Sequence, residues 1–421
     1  MFYTLISSIG TGMYKKEGGY RQTVYQFADG QKVETALFLT AILQAKKSEI
    51  KKVVLIGTRT SSWDALIPDG GNADLDLWGK IQGECLSSDG ISDTLLKKLQ
   101  AKLPEWHDGL PFALKAHTSC VDKDTAGEVF AVYSTIAAEI ADHTDILFDI
   151  THGFRSMPVL IYQALQLDAI KLQNRRIDLI YGEYIDQEKI SHVRDLSPYW
   201  DFYEITAAEK LFTDKLDGKL LAEKIQPHWK SGAECLRRLS EIIECNFAFQ
   251  LPETLNQIKN AIEKKAPSSD AQPWVTDAKN ELAAIYKKLF HSTTSETLRA
   301  YSRLLESKGL LTQAVITLQI ALETAVTEKY GAPENIGDYD WWQETGKSKY
   351  IEIKKQIESD DGKSQSEPLW QIENLRNGIA HGGARDRKSG SFAHIANLPK
   401  ILKQGNAAAD QFLLRLKKVT P

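Results

Sequence analysis

Apolar positions in the first half of the chain come in short continuous runs, separated by polar loops and by segments of helical spacing. Phe2 to Ser8 is the first run, and KKVVLIGT (Lys51 to Thr58), PFALKAH (Pro111 to His117), DILFDI (Asp145 to Ile150) and RIDLIYG (Arg176 to Gly182) repeat it. Runs of this kind, bounded by turn residues, are what strands covered on both faces require. Between them, Val33 to Ala45 carries Val33, Ala36, Leu37, Thr40 and Ala41 at helical spacing, and Asp124 to Ala141 and Pro158 to Leu172 continue that rhythm. Strands alternating with helices predict an α/β, Rossmann-like domain on a mostly parallel, doubly wound sheet, which binds ligands beyond the carboxyl ends of its strands.

After Asp195 the strand-like runs vanish. Thr206 to Leu216, Ala233 to Phe247, Pro252 to Lys265, Val275 to Phe290, Thr297 to Leu305 and Leu311 to Tyr330 are long and amphipathic. In the last, Leu311, Ala314, Val315, Leu318, Leu322 and Ala325 form one buried helical face. The pattern predicts two domains, α/β over residues 1–196 and all-α over 197–421, with long loops at Lys265 to Gln272 and Gly331 to Gly346.

Composition narrows the function. A formal net charge of -4 over 421 residues lacks the global basic field of a nonspecific DNA binder, so any nucleic-acid contact has to be local. Cys85, Cys120, Cys235 and Cys245 form no CxxC pair and have no histidines at zinc-ligand spacing; they are expected to be reduced, and no metal site is expected. No apolar run approaches the ~18 residues of a membrane span, and MFYTLISSIG lacks the basic region of a signal peptide. The expectation is a cytoplasmic protein with no membrane partner and no resident cofactor.

Between two apolar segments the chain sets Asp149, Thr151, His152, Gly153, Phe154, Arg155 and Ser156. Asp149 ends a strand, Gly153 permits a tight turn, and Ser156 is a good N-cap for a helix with Pro158 in its first turn. Such a strand-to-helix loop offers free backbone N–H groups at a helix N-terminus, an anion site that Arg155 strengthens. The plainer alternative is a turn in which Asp149 and Ser156 cap and His152 packs. Two more loops belong at the same sheet edge: Thr58, Arg59, Ser61, Ser62 and Trp63 after one strand, and Gly10, Thr11 and Gly12 after the first. Hydroxyls and an aromatic ring suit a nucleotide, with phosphates on hydroxyls and amides and bases stacked. It is no dinucleotide fingerprint, because Lys15 stands where GxGxxG needs glycine, and no GxxxxGK[ST] loop occurs.

DITHGFRSMP at Asp149 to Pro158 resembles the signature of the CRISPR-associated DxTHG-motif family, type III effectors with an N-terminal CARF domain and a C-terminal HEPN domain. GTRTSSW at Gly57 to Trp63, YGE at Tyr181 to Glu183 and SIGTGMY at Ser8 to Tyr14 resemble it too. The resemblance implies a CARF sensor of cyclic oligoadenylate, the tetra-adenylate being the commoner activator. It implies a symmetric homodimer, with higher association left open, and a helical connector leading into an all-α HEPN ribonuclease domain that acts on single-stranded RNA in antiviral defence.

The HEPN signature, an arginine and a histidine with four to six residues between them, is matched by LRNGIAH, where four residues separate Arg376 and His381. SEPLWQIENLRNGIAHGG reads as a helix with Ser366 as N-cap and Gly382-Gly383 as the stop. Leu369, Ile372, Leu375 and Ile379 fall within one arc of ~120°, and Arg376 lies inside it, where a guanidinium needs a partner or a task. His381 points ~140° away on an ideal helix, at the end where the dipole favours imidazolium. The chemistry this pair supports is metal-independent RNA cleavage: His381 transfers protons, Arg376 stabilises the phosphorane, and Asn377 orients the phosphate or the histidine. RNA rather than DNA follows, because the nucleophile is the 2′-OH. Arg385, Arg387 and Lys388 follow at a position to hold the strand, unless they form only a solvated loop. The rival readings are a binding-only sensor and a CARF domain that also cleaves its own activator.

Overall fold

The computed structural model describes residues 2–12, 20–117, 125–140, 145–153, 156–169, 176–264, 273–380 and 397–418. The chain divides into two compact units, Met1–Tyr203 and Glu204–Pro421.

The first unit is built on an eight-stranded sheet, with β1 (Tyr3–Ile9), β2 (Thr23–Gln26), β3 (Lys32–Thr35), β4 (Ile50–Thr58), β5 (Phe112–His117), β6 (Asp145–Asp149), β7 (Ile177–Ile185) and β8 (Ile190–Asp195) in the order β3-β2-β8-β7-β6-β1-β4-β5. Strands β7, β6, β1, β4 and β5 are parallel; β8 runs antiparallel to β7, and β3 to β2. All of β1 is buried, as its central place demands. One face, with Leu5, Ile9, Val53 and Leu55, packs under α1 (Phe38–Lys46), α2 (Leu75–Cys85) and α3 (Asp93–Trp106). The other, with Ile6, Val54, Ile56 and Phe148, packs under α4 (Thr125–Glu139) and α5 (Ser156–Ala169). The continuous apolar runs of the sequence are thus strands covered on both sides. Chain order reverses between β1 and β6, which makes their carboxyl ends the topological switch point of the sheet.

Val33 to Ala45 departs from the helix expected there. Val33 and Thr35 belong to β3, which pairs with β2 through a turn that closes at Gly30 (φ +89°), and the helix begins only at Phe38. Two β-branched residues beside a glycine turn favour the hairpin over a helical first turn.

The second unit is helical throughout its described residues. It takes in the latter part of α6 (Ser197–Lys215), then α7 (Lys219–Ile225), α8 (Lys230–Cys245), α9 (Leu251–Glu263), α10 (Pro273–Leu289), α11 (Thr294–Ser307) and α12 (Leu311–Tyr330). After these come the short α13 (Tyr339–Trp341), α14 (Lys347–Asp361), α15 (Lys363–Ala380) and α16 (Leu398–Lys418). The expected break at Lys265 to Gln272 lies outside the described residues, whereas Gly331 to Gly346 is no plain loop: it holds a 3-10 turn, α13 and a π-helical turn at Trp342–Gly346. Nor is Ser366 an N-cap. Gly362 (φ +89°) ends α14, α15 starts directly after it at Lys363, and Ser366 is buried one turn inside. Arg299, buried in α11, donates to Asn406 and Asp410 of α16, so that a cation inside the bundle has its partners.

Helices α15 and α16 approach closely at Gly405, where an added Cβ would run into the side chain of Ile372. Gly405→Val is therefore expected to lower the stability of the helical unit by about 1–3 kcal/mol through overpacking. Urea unfolding followed by circular dichroism checks this; an unchanged midpoint would show that the crossing has slack.

Candidate functional site

The carboxyl ends of β1, β4 and β6 meet around a cavity of about 330 Å³. Gly10, Thr11, Gly12, Ser62, Thr151, His152 and Gly153 line it, so seven of the residues that the sequence suggested for ligand binding come together here. Tyr20 and Arg21 line it as well and were not foreseen; their only sequence signal is a YR pair at the end of the first loop.

Its floor is a web of hydrogen bonds. Asp149, with no exposed surface, accepts from Ser7 Oγ (2.6 Å) and from the Thr151 amide (2.8 Å). The Thr151 hydroxyl accepts from the Gly182 amide of β7 (2.8 Å), and Ser8 Oγ donates to the His152 carbonyl. The His152 ring points to α1: Nε2 accepts from the Phe38 amide (3.0 Å) and lies 3.2 Å from the Tyr25 hydroxyl. Burial pushes the His152 pKa below its ordinary value, against the pull of Asp149, and the amide of Phe38 needs the lone pair that a neutral ring keeps. Burial pushes Asp149 in the other direction, up, opposed by His152, Ser7 and Thr151. Gly153 (φ +111°) tolerates no side chain, since a Cβ would stand 2.6 Å from Ser8 Oγ, and a Cβ on Gly10 would stand 3.0 Å from the Gly153 Cα. The backbones of two loops therefore touch, which only glycine permits.

The loop after β4 splits into two roles. Ser62 ties the first loop down: its amide donates to the Gly10 carbonyl (3.0 Å) and its Oγ accepts from the Gly12 amide (2.8 Å). Thr58, Ser61 and Trp63 are buried beneath it. Ser61 Oγ donates to the Ile9 carbonyl, and the Trp63 indole donates to the Thr58 carbonyl, both at 2.8 Å. Trp63, with no exposure, is a post under the loop and offers no face for stacking. Arg59 turns to α3 and donates to the Ile91 carbonyl and Asp93 (2.8 and 2.7 Å), so it is not brought to the cavity. Phe154 and Arg155 lie outside the described residues; Ser156 opens α5.

In the helical unit, Arg376 and Asn377 line a second cavity, of about 440 Å³, and Arg376 Nη1 donates to Asn377 Oδ1 (2.9 Å). Leu369, Ile372 and Leu375 are buried on the same helix, as its apolar arc predicts. Glu373 accepts from Lys354 (2.5 Å), which is fully buried and stacked 3.3 Å over Trp370. Glu323 faces the same cavity; burial holds its pKa above the ordinary carboxylate value, opposed by the Gln319 hydrogen bond and by Arg376. Neither Lys354 nor Glu323 carried a sequence signal. His381 lies outside the described residues, as do Arg385, Arg387 and Lys388.

No cluster among the described residues could hold a metal ion, and no helix among them is long and apolar enough to cross a membrane.

Residues 4–185 match the family model for the CARF domain of the CRISPR system endoribonuclease Csx1. Over those residues the N-terminal unit is similar to a Csx1-type CARF domain, and its α/β sheet agrees with that likeness. The CRISPR-associated protein MJ1674 of Methanocaldococcus jannaschii is 26% identical over 288 residues, which are 63% of this chain and 45% of that one. The chain thus spans less than half the length of that relative. Among solved structures, Enterococcus italicus Csm6 bound to cyclic hexa-2′-fluoro-hexa-dAMP aligns over 100% of this chain and 96% of its own, at 13% identity and a TM-score of 0.39.

The depressed pKa of His152 has a consequence for stability. Its contribution is present above the ordinary value of 6.5 and is lost as pH falls through the folded-state value. His152→Asn, which can still accept from the Phe38 amide, is expected to cost about 1–2 kcal/mol at pH 7.5 and to flatten the acid side of the stability profile. Urea midpoints at several pH values test this; parallel profiles would remove His152 as the titrating group.

Proposed function

We propose that the protein is a type III CRISPR ancillary effector: a ribonuclease that cleaves single-stranded RNA without a metal and is switched on by cyclic oligoadenylate in antiviral defence. The observation that carries this reading is the match to a Csx1 CARF domain together with a cavity at the switch point of that domain, lined by its glycine and hydroxyl motifs. Amides, hydroxyls and Arg21 around it suit phosphates, and we assign it a cyclic tetra-adenylate shared across a homodimer axis. Ser8, Ser61, Ser62 and Thr151 are each already engaged with protein groups, which favours binding of the ring over its cleavage.

The helical unit is the HEPN domain in this reading, with Arg376 and His381 as its catalytic pair. The 2′-oxygen attacks the scissile phosphorus as one His381 takes its proton. Arg376 stabilises the phosphorane, Asn377 orients the phosphate, and the His381 of the other subunit protonates the departing 5′-oxygen. The products are a 2′,3′-cyclic phosphate and a 5′-hydroxyl, and the balance requires no metal, oxidant or resident cofactor. We place the protein in the cytoplasm, where the RNA is.

Cleavage of a fluorogenic single-stranded RNA in EDTA, with cyclic tri-, tetra- and hexa-adenylate supplied in turn, tests the proposal. One ring, the tetra-adenylate, is expected to raise the rate, and Arg376→Ala or His381→Ala to lower the activated rate about 100-fold or more. Tight ring binding with no cleavage would instead mark a binding-only sensor.

In the same assay Thr11→Glu sets a carboxylate among the ring phosphates and is expected to weaken ring binding and activation by about tenfold or more. Unchanged binding would move the ring away from this cavity.

A further inference from the structure

We propose that the cavity beside Arg376 is a nucleotide subsite that stacks one base of the RNA on Trp342 and, through Glu323, prefers a base with an exocyclic amino group over uracil. The nature of the polymer rests on the ribonuclease reading; the subsite rests on what the cavity presents.

At about 440 Å³ the cavity lies in the size range of small-molecule sites, large enough for a nucleoside and its phosphate. Part of its wall is the π-helical turn Trp342–Gly346, which joins α13 to α14 without a break and carries Trp342 and Gln343 on the cavity. Such turns persist where a special direction of side chains is wanted. Trp342 is half-buried and leans on Tyr350 (ring centroids 5.9 Å apart), so an incoming base meets an aromatic platform that is already held. Arg376 and the exposed Lys347 line the same space and supply charge for a phosphate.

The inner wall reads the base edge. Glu323 Oε1 accepts from Gln319 Nε2 (2.9 Å), whose Oε1 in turn meets the Tyr350 hydroxyl (3.3 Å). That chain fixes the carboxyl group and uses one of its acceptor positions. Acceptors facing the cavity attract the amino groups of adenine, cytosine and guanine; uracil turns two carbonyl oxygens and a single N–H toward them.

The test is fluorescence anisotropy with labelled homopolymers of adenylate, cytidylate and uridylate, on the full chain carrying His381→Ala so that the polymers survive. Adenylate and cytidylate are expected to bind about tenfold more tightly than uridylate. Trp342→Ala weakens all three by about tenfold, while Trp342→Phe restores most of the loss. Glu323→Gln removes the preference without weakening uridylate, and Lys347→Ala, at an exposed position, lowers the salt slope by about one. Equal binding of all three homopolymers, or a folded Trp342→Ala chain that binds as before, would overturn the subsite. Failure of the ribonuclease reading shows elsewhere: RNA bound in this pattern but never cut by the wild type leaves the subsite standing, whereas RNA that is cut with no dependence on Trp342 or Glu323 sinks the subsite alone.

Discussion

A carboxylate without exposed surface has to find its hydrogen bonds inside the protein, and much of the first unit is arranged around that demand at Asp149. Its partners are the hydroxyl of Ser7 on the neighbouring strand and the amide of Thr151 two residues on. The first bond holds β6 against β1; the second bends the chain sharply as it leaves β6. The bend brings the His152 carbonyl to Ser8 and the Gly153 backbone against Gly10, and it leaves the His152 ring nowhere to go but the start of α1. Cavity, switch point and motif coincide because one buried carboxyl group, through its hydrogen bonds, sets the path of three segments.

That constraint also explains how far the sequence could be read. Strand runs and helical periodicity are consequences of burial on a large scale, so β1, β4, β5, β6 and β7 are legible from residue type alone. The hairpin of β2 and β3 is not, because four-residue strands at a sheet edge give too few alternations to outweigh a helical spacing across Val33 to Ala41. Within the motif loops, residue type signals that the positions matter without showing which side faces the ligand. Gly10, Thr11 and Gly12 line the cavity; Trp63, equally conspicuous, is consumed in supporting them, and Arg59 finds its carboxylate on another helix. Tyr20 and Arg21 escaped notice because their part depends on the path of the first loop.

The helical unit shows the same limit in another form. An Arg-x4-His pattern and an apolar arc can be seen along α15, and three buried residues of that arc support it. What shares the cavity with Arg376 comes from elsewhere in the chain: Glu323 from α12, Lys347 and Tyr350 from α14, Trp342 from a segment that reads as a loop. Lys354 is fully buried, and its charge is held by Glu373, one turn before Arg376, and by the ring of Trp370. A buried lysine is retained at a cost, and its partner pair fixes the rotamer of a residue next to the guanidinium.

Helix α6 begins in the first unit and is anchored there. Its first turn is tied to the sheet: Ser197 Oγ accepts from the Leu179 amide of β7 (3.2 Å), and Trp200 packs edge-on against Tyr162 of α5 (5.5 Å). β7 donates to Thr151, and α5 follows directly from the motif loop. The helix then runs without a break from Ser197 to Lys215, well past the unit boundary. The motif loop and the start of α6 therefore share the same two supports, β7 and α5.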